Sequence, residues 1–166
     1  ALCYQSVIAC EQQNYSLAIE TARQALTLIP YQSLAWYVVG ESCHALGLHE
    51  EAISAFTAIL SISSAADPMA KIAGEFHHPP EHIYYRIGRS AAALGRWQEA
   101  EKGYLHGLAA NPNDISCLVG CATCAMNAQD YDRAKKLLQR AESIAPQRED
   151  IRTLLLQLPP QYSQLH

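Results

Sequence analysis

Two stretches of the chain nearly superimpose: Ala45-Leu46-Gly47-Leu48-His49-Glu50-Glu51-Ala52 and Ala93-Leu94-Gly95-Arg96-Trp97-Gln98-Glu99-Ala100. A looser copy runs from Ala125-Met126 to Ala134, and a fourth ends in Asn14-Tyr15-Ser16-Leu17-Ala18. The closing alanines, Ala18, Ala52, Ala100 and Ala134, stand 34, 48 and 34 residues apart. The middle interval is one 34-residue period plus an insertion of 14, which falls at 67–80. Similarity at a fixed period of this length marks a repeat architecture, in which each unit buries its apolar face only against its neighbours.

The same residue types recur around each marker. Trp36-x2-Val39-Gly40-x2-Cys43 is followed by Gly47, Ala52, Phe56 and Ile59. Tyr84-x2-Ile87-Gly88-x2-Ala91 is followed by Gly95, Trp97, Ala100, Tyr104, Gly107 and Pro112, and Leu118-x2-Cys121-Ala122-x2-Ala125 by Tyr131, Ala134, Leu138, Ala141 and Pro146. The first copy is the weakest: Leu2, Gln5, Ser6 and Ala9, then Tyr15, Ala18, Ala22, Ala25 and Pro30. Gln5 stands where an apolar residue is expected, so the first helix is predicted to be frayed, truncated or shifted in register.

This pattern of small, large and helix-breaking positions resembles the tetratricopeptide repeat over about residues 1–148. The resemblance implies an all-α fold, a right-handed superhelical solenoid of antiparallel helix pairs. Repeats are expected at about 1–32, 33–66, 81–114 and 115–148, within a single unit 1–158. Helices are expected near 1–12, 15–28, 33–46, 49–62, 81–94, 97–110, 115–127 and 131–144. A capping helix at 148–157 would cover the last apolar face, followed by a flexible tail at 159–166. Gly40, Gly88 and Ala122 should face Ala52, Ala100 and Ala134, because small residues let antiparallel helices approach closely. Pro30, Pro112 and Pro146 should end the second helices, and Ser33 and Asp114 should N-cap the helices that follow. Within the insertion, Asp67-Pro68 suits the start of a short helix that Gly74 would end.

Composition bounds the function. Of 166 residues, 12 are Lys or Arg and 16 are Asp or Glu, a net charge of −4. This argues against a nucleic-acid partner held by bulk electrostatics. The charge is uneven: residues 1–66 carry Arg23 against five glutamates, whereas the remainder balances. Apolar residues at 49% and charged residues at 17% suit a buried core. No apolar run is long enough to span a membrane and no secretory signal is visible, so membrane insertion is not expected. Six cysteines in this length read as reduced thiols, hence a cytoplasmic or nuclear protein. The chain starts at Ala1 without a Met and reads as a piece of something longer.

In the family, the first helix of each pair lines a concave surface. Carried onto this sequence, that stripe takes Leu34, Tyr37, Glu41 and His44, then His82, Tyr85, Arg89 and Ala92, then Ser116, Val119, Thr123 and Met126, with Arg86 at its border. The expected peptide-binding groove is therefore Tyr37, Glu41, His44, His82, Tyr85, Arg86, Arg89 and Thr123, since aromatic and Arg side chains dominate recognition surfaces. The family's best-known variant clamps a C-terminal carboxylate with Lys, Asn and Arg. Those places fall here on Cys3, Val7, Val38, His82 and Arg86, or one repeat later on Tyr37, Glu41, Arg86, Ser116 and Gly120, so only Arg86 matches in type. Arg86 and Arg89 remain placed to pair with an acidic ligand residue.

Cys117, Cys121 and Cys124 share one helical face. With no fourth ligand at recognisable spacing they read as core residues rather than a zinc or redox site. His77, His78 and His82 read as exposed rather than metal-binding. No phosphate loop, nucleophile elbow, zinc-protease motif or paired carboxylates appear. The expectation is a non-catalytic scaffold or adaptor without cofactor or metal, holding an extended or helical peptide of a protein partner in its groove. The rivals are a cytosolic chaperone for a secreted bacterial protein, or a fragment of a larger assembly or enzyme, which would self-associate or stack on further repeats.

Overall fold

The computed structural model describes residues 1–64 and 79–163, all of its regular structure helical. In chain order the helices are α1 (Leu2–Glu11), α2 (Tyr15–Leu28), α3 (Ser33–Ala45), α4 (His49–Ser64), α5 (Pro80–Ala93), α6 (Trp97–Ala110), α7 (Ile115–Asn127), α8 (Tyr131–Ile144), α9 (Glu149–Gln157) and α10 (Pro160–Ser163). Each odd-numbered helix up to α7 pairs with the helix after it, and each pair stacks on the next. Most of the insertion, with its expected short helix and with His77 and His78, lies outside the described residues. Among the described residues no helix is long and apolar enough to cross a membrane.

The turns explain why the period holds. Helix α2 ends two residues before Pro30, α6 two before Pro112 and α8 two before Pro146. The intervening Ile29 and Asn111 are extended, as the residue before a proline must be. Inside each pair the chain reverses through a left-handed residue. Gly47 and Gly95 take that conformation at φ 77° and 72°, and Gln13 and Gln129 take it at 60° and 61°.

Two expectations about helix starts change. Asp114 does cap α7, its carboxylate accepting from Cys117 N at 2.7 Å. Ser33, however, is the first residue of α3 and is buried, and Gln32 holds the cap position without a side-chain bond. Asn14 and Asp130 are caps the sequence reading missed, accepting from Leu17 N at 3.4 Å and Arg133 N at 3.2 Å. Helix α1 forms despite Gln5, which points to solvent.

The small residues do more than let the paired helices approach. A Cβ on Gly40 would lie 2.6 Å from the Phe56 ring, and one on Gly88 would lie 2.6 Å from the Tyr104 ring. The glycines therefore admit an aromatic ring from the second helix rather than facing only the marker alanines. At Gly88 the Ala100 carbonyl is also near, at 3.0 Å. Ala18, Ala52, Ala100 and Ala134 are fully buried.

One apolar core runs from α1 to the start of α5 around Phe56, Ile59 and Ile83. A second joins α7, α8 and α9 around Leu118, Leu138 and Ile151, and a third, around Tyr104 and the cysteines, links α5, α6 and α7. Of the expected tail 159–166, the described residues 160–163 form a short helix. Leu158 is buried on the second core, and helix α10 brings the Tyr162 ring to 5.5 Å from that of Tyr131.

Candidate functional site

The stripe positions of α3 and α5 meet across the inner face of the stack. Arg86 on α5 donates from Nε to Glu41 Oε1 on α3 at 2.8 Å, and Arg89 donates to the same oxygen at 3.2 Å. Arg86 also donates to the Tyr37 hydroxyl, with its guanidinium carbon 4.8 Å from the centre of the Tyr37 ring. Burial, with Glu41 adding to it and Arg86 opposing, raises the Tyr37 phenol above its ordinary pKa. The two arginines are thus not simply waiting for an acidic ligand: Glu41 takes both within the chain. Arg89 keeps one donor in reserve, since its Nε is buried and has no acceptor among the described residues.

Further along the same seam His44 Nδ1 lies 2.9 Å from the Ser90 hydroxyl, and its ring stands 4.9 Å from that of His49. Burial, then Arg89 and His49, depress its pKa. His82 is exposed at the rim. Thr123 is half-buried on α7 and donates back to Val119 O at 2.9 Å, so its hydroxyl proton is already used.

Tyr85 joins a different cluster. Its ring is 5.9 Å from that of Tyr104, and both line a cavity of about 170 Å³ with Ser116, Val119, Arg148 and Asp150. The sequence stripe therefore divides into two places: a charged seam between α3 and α5, and an aromatic pocket between α5, α7 and the start of α9. The part played by α9 was missed. Arg148 and Asp150 follow Pro146, outside the stripe positions of any repeat, and no spacing rule points to them.

Cys117, Cys121 and Cys124 are buried beside Tyr104. Burial raises all three thiols, Cys121 to about 12 and Cys124 to about 11, and Asp114 adds to the rise at Cys117. Such thiols are neither nucleophiles nor ready ligands at neutral pH. Among the described residues no three His, Cys, Asp or Glu side chains are gathered as a metal would need.

Two family models, both described as tetratricopeptide repeat, match residues 5–68 and 91–158, most of the chain between them. The chain belongs to the tetratricopeptide repeat family. Solved structures agree on the fold. A chain of the APC/C hetero-tetramer Cut9–Hcn1 superimposes with a TM-score of 0.76 at 17% identity, over 95% of this chain and 29% of that one. MamA (residues 41 to the end) from Desulfovibrio magneticus RS-1 gives 0.74 at 12% identity, over 89% of this chain and 76% of that one. YrrB, described as a TPR protein with an unusual peptide-binding site, gives 0.67 at 17%, over 90% and 70%. No curated protein matches the sequence.

Proposed function

We propose that this chain is a non-catalytic adaptor that holds an extended segment of a protein partner along the inner face formed by α3, α5 and α7. The observation that carries the proposal is the half-buried seam in which Tyr37, Glu41, Arg86 and Arg89 converge, with Arg89 Nε buried and lacking an acceptor. A buried N–H without a partner is costly, so a shift of the Arg89 side chain that brings it to a carbonyl of an extended polypeptide is favourable. The aromatic and guanidinium groups beside it are the side chains that carry most binding energy at interfaces. YrrB, which shares the fold, is described as having a peptide-binding site, which agrees with this reading.

The test is a Tyr85→Ala/Arg89→Ala double variant. It should retain its helical circular dichroism and lose the partner captured by the wild type in affinity purification and mass spectrometry. Capture at wild-type levels by the folded double variant overturns the groove.

A second surface favours stacking on further helix pairs. Tyr4 and Ile8 on α1 are 71% and 52% exposed. Of the repeat-equivalent residues, Val38, Ser42, Ser90, Gly120 and Cys124 are buried and Arg86 is half-buried. The first repeat thus presents, uncovered, the face that its successors bury. In the isolated chain a second copy is the available cover, so sedimentation should show concentration-dependent dimers that Tyr4→Lys/Ile8→Lys abolishes. A wild type that is monomeric at millimolar concentration removes this reading.

A further inference from the structure

Tyr104 belongs to α6, in the outer layer, yet its ring passes between two helices of the inner layer. A Cβ on Gly88 of α5 would lie 2.6 Å from that ring, and a Cβ on Gly120 of α7 would lie 2.7 Å from it. Only glycine at both places leaves the gap. The ring therefore forms the floor of the cavity on the inner face and is 5% exposed, and its hydroxyl makes no hydrogen bond among the described residues. The equivalent ring in the second repeat is Phe56 against Gly40, which carries no hydroxyl. Tyrosine at this one repeat places a polar atom where packing alone would be served by phenylalanine.

The rest of the cavity says what the hydroxyl meets. Its walls combine the apolar surfaces of the Tyr85 ring, Val119 and the Trp97 indole with polar groups from Ser116, Thr123, Arg148 and Asp150, so the occupant has both an apolar body and a polar group. Charge is excluded at the mouth. Arg148 donates to Asp150 through Nε at 3.0 Å and through a terminal nitrogen at 2.5 Å, so the carboxylate and the guanidinium that line it among the described residues neutralise each other. A ligand cation would find no free carboxylate, and a ligand carboxylate would face Asp150. The volume of about 170 Å³ suits one aromatic ring, since a cavity of about 150 Å³ accepts benzene. A purely apolar ring would seal the Tyr104 hydroxyl away from water with nothing to bond, which is unfavourable. A phenol both donates and accepts.

We propose that this cavity is a receptor pocket for a tyrosine side chain of the partner, held between Tyr85 and Val119 with its hydroxyl bonded to that of Tyr104. The pocket takes up the proposed groove at its C-terminal end, and the inference rests on that reading only for the source of the tyrosine. Its test uses the isolated chain and no partner, so its failure is separate from a failure of the groove variant.

The probes are 4-methylphenol, which is the tyrosine side chain, and toluene, which is that of phenylalanine. Each is titrated into the protein while the Val119 methyls and the Trp97 indole N–H are followed by NMR. The Trp36 indole, bonded to Pro30 O at 2.9 Å, is the remote reference. 4-Methylphenol should shift Val119 and Trp97 but not Trp36, and should bind at least five-fold tighter than toluene. Tyr104→Phe should close that gap by weakening the phenol alone, and the fold already accommodates phenylalanine at this place in the second repeat. Ser116→Trp, at the half-buried mouth, should abolish both. Toluene binding as well as the phenol, a preference that survives Tyr104→Phe, or no shift at Val119 and Trp97 would each overturn the proposal.

Discussion

Gln13 and Gln129 occupy the left-handed conformation that glycine holds in the two central repeats. For a residue with a Cβ this conformation costs roughly 1–2 kcal/mol, partly offset by the backbone entropy that glycine loses on folding. Gln13→Gly and Gln129→Gly should each stabilise the protein by about 0.5–1 kcal/mol, and the reverse change Gly95→Ala should destabilise it by a similar amount. Urea denaturation of the three variants checks the pattern. A destabilising Gln129→Gly would mean that the side chain makes a contact worth more than the strain. His44 gives a prediction in pH. Its folded pKa lies below the ordinary histidine value because it is buried beside Arg89 and His49. The unfolded chain therefore binds the proton more readily, and stability rises with pH across this range. The contribution is complete above about pH 6.5, the unfolded value, and is lost as the pH falls through the depressed folded value. The melting temperature should drop between pH 7.5 and 5.5, and less so in His44→Asn. Equal drops would place the pH sensitivity elsewhere.

Among helices, α5 crosses α6 closely: a Cβ on Gly103 would stand 3.0 Å from Gly88 N and 3.2 Å from Tyr84 O. Position by position the repeats balance the two sides of this crossing: Gly40 meets Phe56, Gly88 meets Tyr104, and the larger Ala122 stands opposite the narrower Leu138. Gly88→Ala should therefore cost about 2–3 kcal/mol through overpacking, despite alanine's better helix propensity. Adding Tyr104→Leu should recover part of that loss, because it rebuilds the pairing of the fourth repeat. Additive losses in the double variant would show that the crossing does not depend on that pairing. The markers that made the repeat legible are residues of this kind, since burial between helices allows few alternatives. Helix ends were legible where proline or glycine dictates the backbone, as at Pro30 and Gly47. They were misjudged where several polar residues compete for a cap, as with Gln32 and Ser33. Of the site, the stripe on α3, α5 and α7 follows from the family resemblance, with helical spacing placing its residues on one face. Its division into a charged seam and an aromatic pocket does not, because Glu41 reaches Arg86 across 45 residues and the pocket is lined by Arg148 and Asp150 at the start of α9.

At the scale of the whole molecule the stack is held together differently at its middle from elsewhere. Helices α1 and α3 lie side by side, as do α5 and α7. Between α3 and α5 the inner face is instead bridged by Glu41 with Arg86 and Arg89, by Tyr37, and by His44 with Ser90. On the outer side the junction is packed by α4 on α5, where Ile83 is the large fully buried residue of α5 within the N-terminal core. A solenoid's cooperativity is set by the coupling between neighbouring units, so the weakest junction is where unfolding divides. Removing Glu41 would leave two guanidinium groups half-buried against each other, and the loss falls on this junction rather than within either half. In Glu41→Ala the single urea transition expected of the wild type should broaden, with a lower m-value, and fluorescence of Trp36 should part from that of Trp97. Each tryptophan reports one side of the junction, so single-tryptophan forms (Trp36→Phe and Trp97→Phe) assign the two curves. Coincident curves with an unchanged m-value in Glu41→Ala would show that the apolar contact of α4 with α5 carries the coupling alone. The inner seam would then be left to its proposed task of meeting a partner.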